Sequence, residues 1–528
     1  MNETVAMIIA SLVCALLFVL MTEKCLGAIQ QAGYNNGKFL RWLRGKSNML
    51  FNRLSVLSLC LALATAIVSL CFSFLGTGYA VVISSVPFFA ICLYYLYSDK
   101  KYALKVRVKY TGRVKRLFVG YLFITACVSY AFLAVLHFLM VLSGWYYHRL
   151  FAFVPFAIMP MCLPVSLCLA NGLLSIFENA RNKKFVKRAG QVLNEKKIVR
   201  VAVVGSFGKT SVKNILTTLL QEKYKTVATE ASFNTPIGIA KTVQKPEFET
   251  AEVFVAEMGA RKTGDIKELC EMVKPDFAVF TGVCNQHLET FGNLDAVVKE
   301  KSRVLDYATT VVCGASLQGK ITAENAVFVD ETAVGNIRFG ATSTHFNLRI
   351  KDETVSVETT LLGENAVENI SLAVTLALAM GLTADEIKRG LSKLQPVPHR
   401  LQLIKSGGVY IIDDGYNANP KGAEEAIKAL CRFDSRKCIV TPGIVECGVL
   451  EEKINAHLGE TIAKANLDKV ILVGETLVTA VRDGYQKAGG TMERLKIVPT
   501  LEKAQKLLSE WIVSGDAVLF LNDLPDVY

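Results

Sequence analysis

The residues with the clearest chemical meaning are Gly205-Ser206-Phe207-Gly208-Lys209-Thr210-Ser211. They follow the apolar run Val201–Val204 and lead into a helical pattern. A glycine-rich turn at a helix N-terminus aims backbone N–H groups and the positive end of the helix dipole at an anion. Lys209 is then placed to reach the β- and γ-phosphates of a nucleotide, and the Thr210 hydroxyl to help hold Mg²⁺. The spacing is GxxGK[ST], shorter than the generic GxxxxGK[ST] loop. The strand before it and the helix after it favour a phosphate loop over a chance match. A second feature is Glu257, which closes the β-rich run Glu252–Glu257. A carboxylate at the C-terminal end of a strand, beside a phosphate loop, lies where an open α/β sheet places its ligand. The ordinary alternative is a surface glutamate.

The elements that must hold these residues alternate. Strands are expected at Lys197–Val204, Lys225–Thr229, Glu252–Glu257, Asp276–Val283 and Thr309–Cys313. Helices are expected at Lys209–Glu222, Gly264–Met272 and Leu294–Tyr307. Such alternation predicts a mostly parallel sheet covered by helices. Residues 325–362 read as short antiparallel strands, and Val367–Lys393 as a helical stretch. Pro396 and Pro398 punctuate the chain and mark a domain boundary. Beyond it, Val409–Asp413, Cys438–Thr441, Lys469–Val473 and Ala517–Leu521 repeat the α/β pattern.

The first 180 or so residues have a different character. The chain is 52% hydrophobic and 20% charged over its 528 residues, and the apolar excess is concentrated at this end. Val5–Met21, Leu54–Leu75, Tyr79–Tyr97, Leu117–Leu142 and Leu150–Phe177 are apolar runs, near the roughly 20 residues a bilayer span needs. The first lacks the basic flank of a signal peptide. Between runs one and two lie Lys24, Lys38, Arg41, Arg44, Lys46 and Arg53. Eight further basic residues lie between Lys100 and Arg116, and Arg181, Lys183, Lys184, Lys187 and Arg188 follow the fifth run. Lysine and arginine collect on the cytoplasmic side. The expected topology thus has its N-terminus outside and everything after about residue 178 inside. The same distribution accounts for the net charge of +12 without nucleic acid. The 14 cysteines fall singly, with no CxxC pair, as in thiols of a reducing compartment. The expected fold is an α-helical membrane domain of about five spans at 1–190, then a P-loop-type parallel-sheet ATPase domain at 196–396. A Rossmann-like α/β domain at 397–528 completes it.

The short loop GSFGKTS resembles the ATP loop of the Mur ligases, and further segments follow in that family's order over residues 198–528. Glu257-Met258-Gly259-Ala260 resembles the site of a glutamate that serves Mg²⁺ and the reacting groups. Gln286-His287-Leu288-Glu289-Thr290-Phe291-Gly292 resembles AHLExFG, which implies that His287 helps hold a second Mg²⁺. Val298-Lys299-Glu300-Lys301-Ser302-Arg303 resembles AKxEI and places Lys301 on the lysine that is carbamylated in many members. A carbamate turns a cation into an oxygen ligand suited to a hard metal. Gly363–Asn369 resembles the nucleotide-contacting GxHNxxN, with Asn365-Ala366 in place of the His-Asn pair and Asn369 retained. Pro398-His399-Arg400 resembles the junction whose arginine approaches the phosphates; its planar fork suits phosphate oxygens. Ile412-Asp413-Asp414-Gly415-Tyr416-Asn417-Ala418-Asn419-Pro420 resembles the IDDxYNANP segment of the MurF type, which joins D-Ala-D-Ala to a UDP-muramoyl tripeptide. Asp414, Tyr416 and Asn417 are implied to close over the nucleotide. His457 is read as structural.

The resemblance implies an ADP-forming ligase that uses ATP and Mg²⁺ and passes through an acyl phosphate. Lys209, Glu257, His287, Lys301 and Arg400 would be catalytic. Gly205, Ser206, Phe207, Gly208, Lys209, Thr210, Ser211, Asn369, Arg400, Asp414, Tyr416 and Asn417 would hold nucleotide. Thr210, Glu257, His287 and carbamylated Lys301 would hold metal. The implied partners are membrane lipid, a UDP-linked or lipid-linked muramoyl-peptide acceptor, and an amino acid or dipeptide. The implied location is a bacterial cell membrane, with the catalytic domains in the cytoplasm. Residues 178–196 leave no room for the family's UDP-sugar domain, so either the acceptor is held partly by the membrane or the spans serve only as an anchor. Two other classes compete: a Mur-like ligase making another envelope polymer such as poly-γ-glutamate, and a membrane scaffold or transporter with a non-ligating ATPase. The latter calls for intramembrane ion pairs or broken helices; the fifth run carries prolines 155, 160 and 164, and no pair of ionisable residues stands out in the runs, where His137 is a single histidine.

Overall fold

A computed structural model describes residues 3–44, 54–71, 77–99, 108–142, 154–157, 159–284, 291–416, 419–445, 447–474 and 477–522. Two compact units divide near Arg181 and Asn182. In the first, helices Glu3–Met21, Ser55–Cys71, Thr77–Asp99, Gly112–Leu142 and Met159–Glu195 fall on the five apolar runs. Only the fourth and fifth contain a stretch both long and apolar enough to cross a membrane among the described residues. A third span results if Met7–Met21 and Glu23–Gln31, bent by 54°, count as one. Ser55–Val68 and Ser85–Tyr97 are shorter apolar helices. By this measure two or three of the five expected spans are found among the described residues.

The bend occurs at Thr22, whose hydroxyl bonds back to the Phe18 carbonyl at 2.9 Å and meets the Tyr121 hydroxyl at 2.9 Å. Such back-bonding bends helices. Phe18, Phe39, Phe88 and Tyr121 fill the interior of this unit, while Ile9, Leu12, Leu16, Phe123, Leu169 and Ile176 stay exposed. Glu178 is buried and held by Arg116 at 2.6 Å and Arg181 at 2.7 Å.

The second unit carries two six-stranded sheets. The first comprises β1 (Val199–Val204), β2 (Thr226–Ala228), β3 (Val253–Glu257), β4 (Phe277–Phe280), β5 (Thr310–Cys313) and β6 (Ala326–Phe328). Their order is β2-β3-β1-β4-β5-β6, all parallel. β1 to β5 correspond to the expected strands. Near-continuous apolar runs such as Val201–Val204 suit a sheet buried on both faces. Residues 326–328, expected to be antiparallel, instead extend this sheet. β7 (Val334–Phe339), β8 (Thr344–Ile350) and β9 (Glu353–Thr359) form the antiparallel sheet expected in that region.

The helical stretch expected over Val367–Lys393 is made of two helices, Glu364–Ala379 and Ala384–Leu391. Gly381 takes φ +86°, and a Thr383–Glu386 capping box starts the second helix.

The second sheet comprises β10 (Gln402–Ser406), β11 (Val409–Asp414), β12 (Lys437–Thr441), β13 (Lys469–Val473), β14 (Leu495–Val498) and β15 (Ala517–Leu521). Its order is β10-β11-β15-β12-β13-β14, antiparallel only at β10–β11. The edge strands β10 and β14 were not expected. Helices Glu451–Lys464 and Val478–Lys487 meet backbone to backbone beside this sheet. A Cβ at Gly459 would lie 2.0 Å from the Val481 carbonyl oxygen, and one at Gly484 1.9 Å from that of Ala456. Backbone cannot yield as a side chain does, so Gly484→Ala is expected to cost about 3 kcal/mol. A lowered urea midpoint of the C-terminal transition checks this, and an unchanged midpoint contradicts it.

Candidate active site

The turn after β1 sits at the switch point of the first sheet, because β3 pairs on one side of β1 and β4 on the other. Gly205 and Gly208 adopt φ +154° and +74°. A Cβ on Gly205 would lie 1.9 Å from Thr281 Oγ1, and one on Gly208 2.6 Å from Asn369 Oδ1. Both positions therefore require glycine. The turn is tied to β4 by Ser206 N–H donating to the Gly282 carbonyl at 2.8 Å and by Thr281 donating to the Phe207 carbonyl. Helix Lys209–Leu220 starts directly after Gly208, so the N–H groups of its first turn lack helical partners.

Lys209 folds back over the turn, donating to the Gly205 carbonyl at 2.9 Å and the Ser206 carbonyl at 3.2 Å. Burial pushes its pKa down; Glu257 opposes that shift and Arg400 adds to it. Lys301 arrives from helix Leu294–Lys301 and donates to the same Gly205 carbonyl at 3.0 Å while only 2% exposed. Burial and then the neighbouring Lys209 bring its pKa down to about 7. The helix expected at Leu294–Tyr307 turns to 3₁₀ geometry after Lys301. Glu300 beside it is buried and accepts from the Ile266 N–H at 2.9 Å, at the start of helix Asp265–Val273.

Glu257 ends β3, 1% exposed. Its Oε1 accepts from Asn234 Nδ2 at 3.2 Å, and its Oε2 has no hydrogen-bond partner. From the segments flanking the β10–β11 hairpin come Arg400, before β10, and Tyr416 and Asn419, after β11. The Arg400 guanidinium lies 4.4 Å over the Tyr416 ring, and the Tyr416 hydroxyl meets Ser232 Oγ at 2.5 Å. Arg400 stands between two residues of positive φ, His399 at 61° and Leu401 at 49°, a conformation that costs energy outside glycine. That turn is secured by His399 Nδ1 with Asp413 Oδ2 at 2.8 Å and by Leu401 N–H donating to Asp414 Oδ1 at 3.0 Å. Burial raises the Asp414 pKa to about 6, against the Leu401 N–H and Arg400.

One cavity of about 250 Å³ is lined by Ser206–Ser211, Glu257, Lys301, Arg400, Tyr416 and Asn419. A neighbouring cavity of about 110 Å³ is lined by Phe207, Gly208, Asn369, Asp414 and Lys421, among others. Of the expected residues, Lys209, Thr210, Glu257, Lys301, Arg400 and Tyr416 share the first, and Asn369 and Asp414 line the second. His287 and Asn417 lie outside the described residues. Among the described residues no three His, Cys, Asp or Glu side chains converge on a point. Glu257, whose Oε2 accepts no hydrogen bond, and Thr210 line the same cavity, and oxygen donors of this kind suit Mg²⁺.

Sequence reasoning missed Lys213, Ser232, Asn234 and Lys421. Lys213 follows Lys209 by four residues, hence on the same helix face, and that spacing was available as a signal. Lys421 lies 4.4 Å over the Phe207 ring and 3.1 Å from Glu368. Nothing in the sequence points to Ser232 or Asn234.

Residues 203–377 match the Mur ligase middle domain, and residues 399–522 match the Mur ligase glutamate ligase domain. Over these two domains the chain belongs to the Mur ligases and is an ATP-dependent, ADP-forming ligase of that type. Within the family its similarity runs to the MurF enzymes. It is 29% identical over 322 residues, 56% of this chain and 70% of the other, to the UDP-N-acetylmuramoyl-tripeptide–D-alanyl-D-alanine ligase of Escherichia coli K12. It is 27% identical over 335 residues, 61% of this chain and 72% of the other, to the protein of that name from Bacillus subtilis 168. The crystal structure of MurF from Thermotoga maritima in complex with ADP aligns with a TM-score of 0.58 at 26% identity, covering 65% of this chain and 80% of that one. MurF from Acinetobacter baumannii shares the fold, with a TM-score of 0.59 at 24% identity over 65% of this chain and 77% of that one.

Proposed function

We propose that this chain is a membrane-bound ligase that joins an amino acid or dipeptide, D-Ala-D-Ala by likeness to its relatives, to a peptidoglycan precursor on the cytoplasmic side. The observation that carries the reading is the convergence of Lys209, Glu257, Lys301 and Arg400 on one cavity. We place the membrane domain at 1–190, the ATP-binding domain at 196–396 and the C-terminal domain at 397–528. The two or three candidate spans and the exposed apolar faces of their helices support membrane residence.

In the proposed reaction an acceptor carboxylate attacks the γ-phosphate of ATP, releasing ADP and leaving an acyl phosphate. The amine then forms the amide and displaces inorganic phosphate. Phosphoryl transfer of this kind depends on positioning and charge neutralisation. Lys209 and the turn's N–H groups would bind the phosphates, and Arg400 would add a planar cation from the opposite wall. Glu257, Thr210, His287 and a carbamate on Lys301 would hold Mg²⁺, which when bound neutralises phosphate charge. Tyr416 and Ser232 would close the cavity against water, which otherwise hydrolyses the acyl phosphate.

The test uses detergent-purified full-length protein with ATP, Mg²⁺, D-Ala-D-Ala and either a UDP-linked or a lipid-linked muramoyl tripeptide. ADP release that requires both acceptor and amine, with an amide product of matching mass, supports the reading. The two acceptors distinguish a bare anchor from a membrane-held substrate. ATP hydrolysis indifferent to both substrates would instead indicate a non-ligating ATPase.

A further inference from the structure

Lys213 lies one helical turn beyond Lys209, yet it does not face the phosphate turn. Its side chain is only 1% exposed, and its Nζ donates to the carbonyl of Ala231. The same ammonium stands 3.6 Å from Oε2 of Glu257, itself 1% exposed. That separation is an ion pair rather than a hydrogen bond. Ala231 takes φ +43°, unfavourable for a residue with a Cβ, and its carbonyl is the one that meets the ammonium. A buried lysine is costly unless paired, and here its two partners are a strained loop and a site carboxylate.

The loop has consequences for the cavity. One residue after Ala231, Ser232 meets the Tyr416 hydroxyl. Asn234 donates to Glu257 Oε1 at 3.2 Å and accepts through its carbonyl from the Gly259 N–H at 2.8 Å. Thr235 then caps helix Pro236–Val243. We propose that Lys213 is a positioning residue for the ligase reaction. It holds the 229–235 loop in its strained form, so that Asn234 orients Glu257 and Ser232 receives Tyr416 from the C-terminal domain. It touches neither nucleotide nor reacting atoms. The inference rests on the ligase reading above, and its test separates the two.

Lys213→Met keeps length and packing but removes the charge and the donor. In the ligand-free full-length protein, amides of residues 229–236 are expected to exchange with deuterium about tenfold faster, with the rest of the first sheet unchanged. In acceptor-dependent ADP release, kcat is expected to fall at least about tenfold. The KM for ATP should move less than about threefold, because the phosphate turn is intact. Faster exchange spread evenly over the sheet would reduce Lys213 to a core residue and overturn the proposal, as would an unaltered kcat. If Lys213→Met does not fold, Ser232→Ala removes the contact with Tyr416 from a part-buried position. It is expected to lower kcat about threefold without a change in melting temperature, and wild-type turnover in that variant overturns the proposal. Absence of acceptor-dependent ADP release in the wild-type protein would sink the ligase reading, while the exchange experiment would still decide the placement of the loop.

Discussion

Replacing Lys209 with alanine is expected to lower kcat for ADP release by on the order of 10³-fold while leaving the fold intact. The size of the effect follows from where the ammonium lies. It is held over the phosphate turn by the Gly205 and Ser206 carbonyls at 2.9 and 3.2 Å, in surroundings that already disfavour its charge. An arriving triphosphate supplies the negative charge this lysine lacks, so the interaction is strongest when phosphate charge is being redistributed. The carbonyls it leaves belong to a turn fixed independently by Ser206 N–H and Thr281. Folding is therefore expected to survive, and the melting temperature should move little. Steady-state ADP release measured beside thermal unfolding checks both halves. Turnover within about tenfold of wild type would contradict the assignment of this turn to ATP.

Lys301→Ala is expected to lower kcat by on the order of 10²-fold or more, with partial recovery in added acetate, whose carboxylate can occupy the vacated space. A lysine amine must be neutral to take up carbon dioxide, and this one has a pKa of about 7, because burial and Lys209 both disfavour its charge. At pH 8 most of it is neutral; at pH 6 most is protonated. Wild-type activity should therefore decline as pH falls through about 7, and added bicarbonate should oppose the decline. Stability has its own sign. The folded pKa lies below the ordinary lysine value of 10.5, so between about 7 and that value the unfolded chain holds the extra proton. Folding then gains stability as pH rises across that window. A carbamate resonance after loading with ¹³C-bicarbonate, absent from Lys301→Ala, is the direct check. Its absence from the wild-type protein would leave the amine itself as the active form.

The parts of the structure that were legible in the sequence are those written locally. The turn at 205–211 is specified by its glycines and by the strand and helix beside it. β1 to β5 announce themselves as short apolar runs between helical patterns. The edge strands β10 and β14 were not legible: Lys405, Ser406, Lys496 and Ile497 are exposed, so neither strand has a fully apolar run or a clean alternation. The break between helices at Gly381 was present in the sequence as a glycine followed by Thr383 and Glu386, but it was outweighed by the apolar periodicity around it.

The site divides in the same way. Lys209, Thr210, Glu257 and Arg400 carry chemical meaning where they stand. Asn234 and Ser232 acquire theirs only when tertiary packing brings β3 and Tyr416 against their loop. The strained backbone at His399 and Leu401 is likewise imposed from a distance, by Asp413 and Asp414 across the β10–β11 hairpin.

We propose that the cavity lined by Lys209 and Arg400 passes a phosphoryl group to a carboxylate before an amide forms. Its most direct test is to label the acceptor carboxylate with ¹⁸O and analyse the phosphate released during turnover with ATP and the amine. Transfer through an acyl phosphate carries one labelled oxygen from each acceptor into inorganic phosphate, and that is the expected outcome. Phosphate released without label, alongside ADP, would mean that water and not the acceptor attacks ATP, and would contradict it.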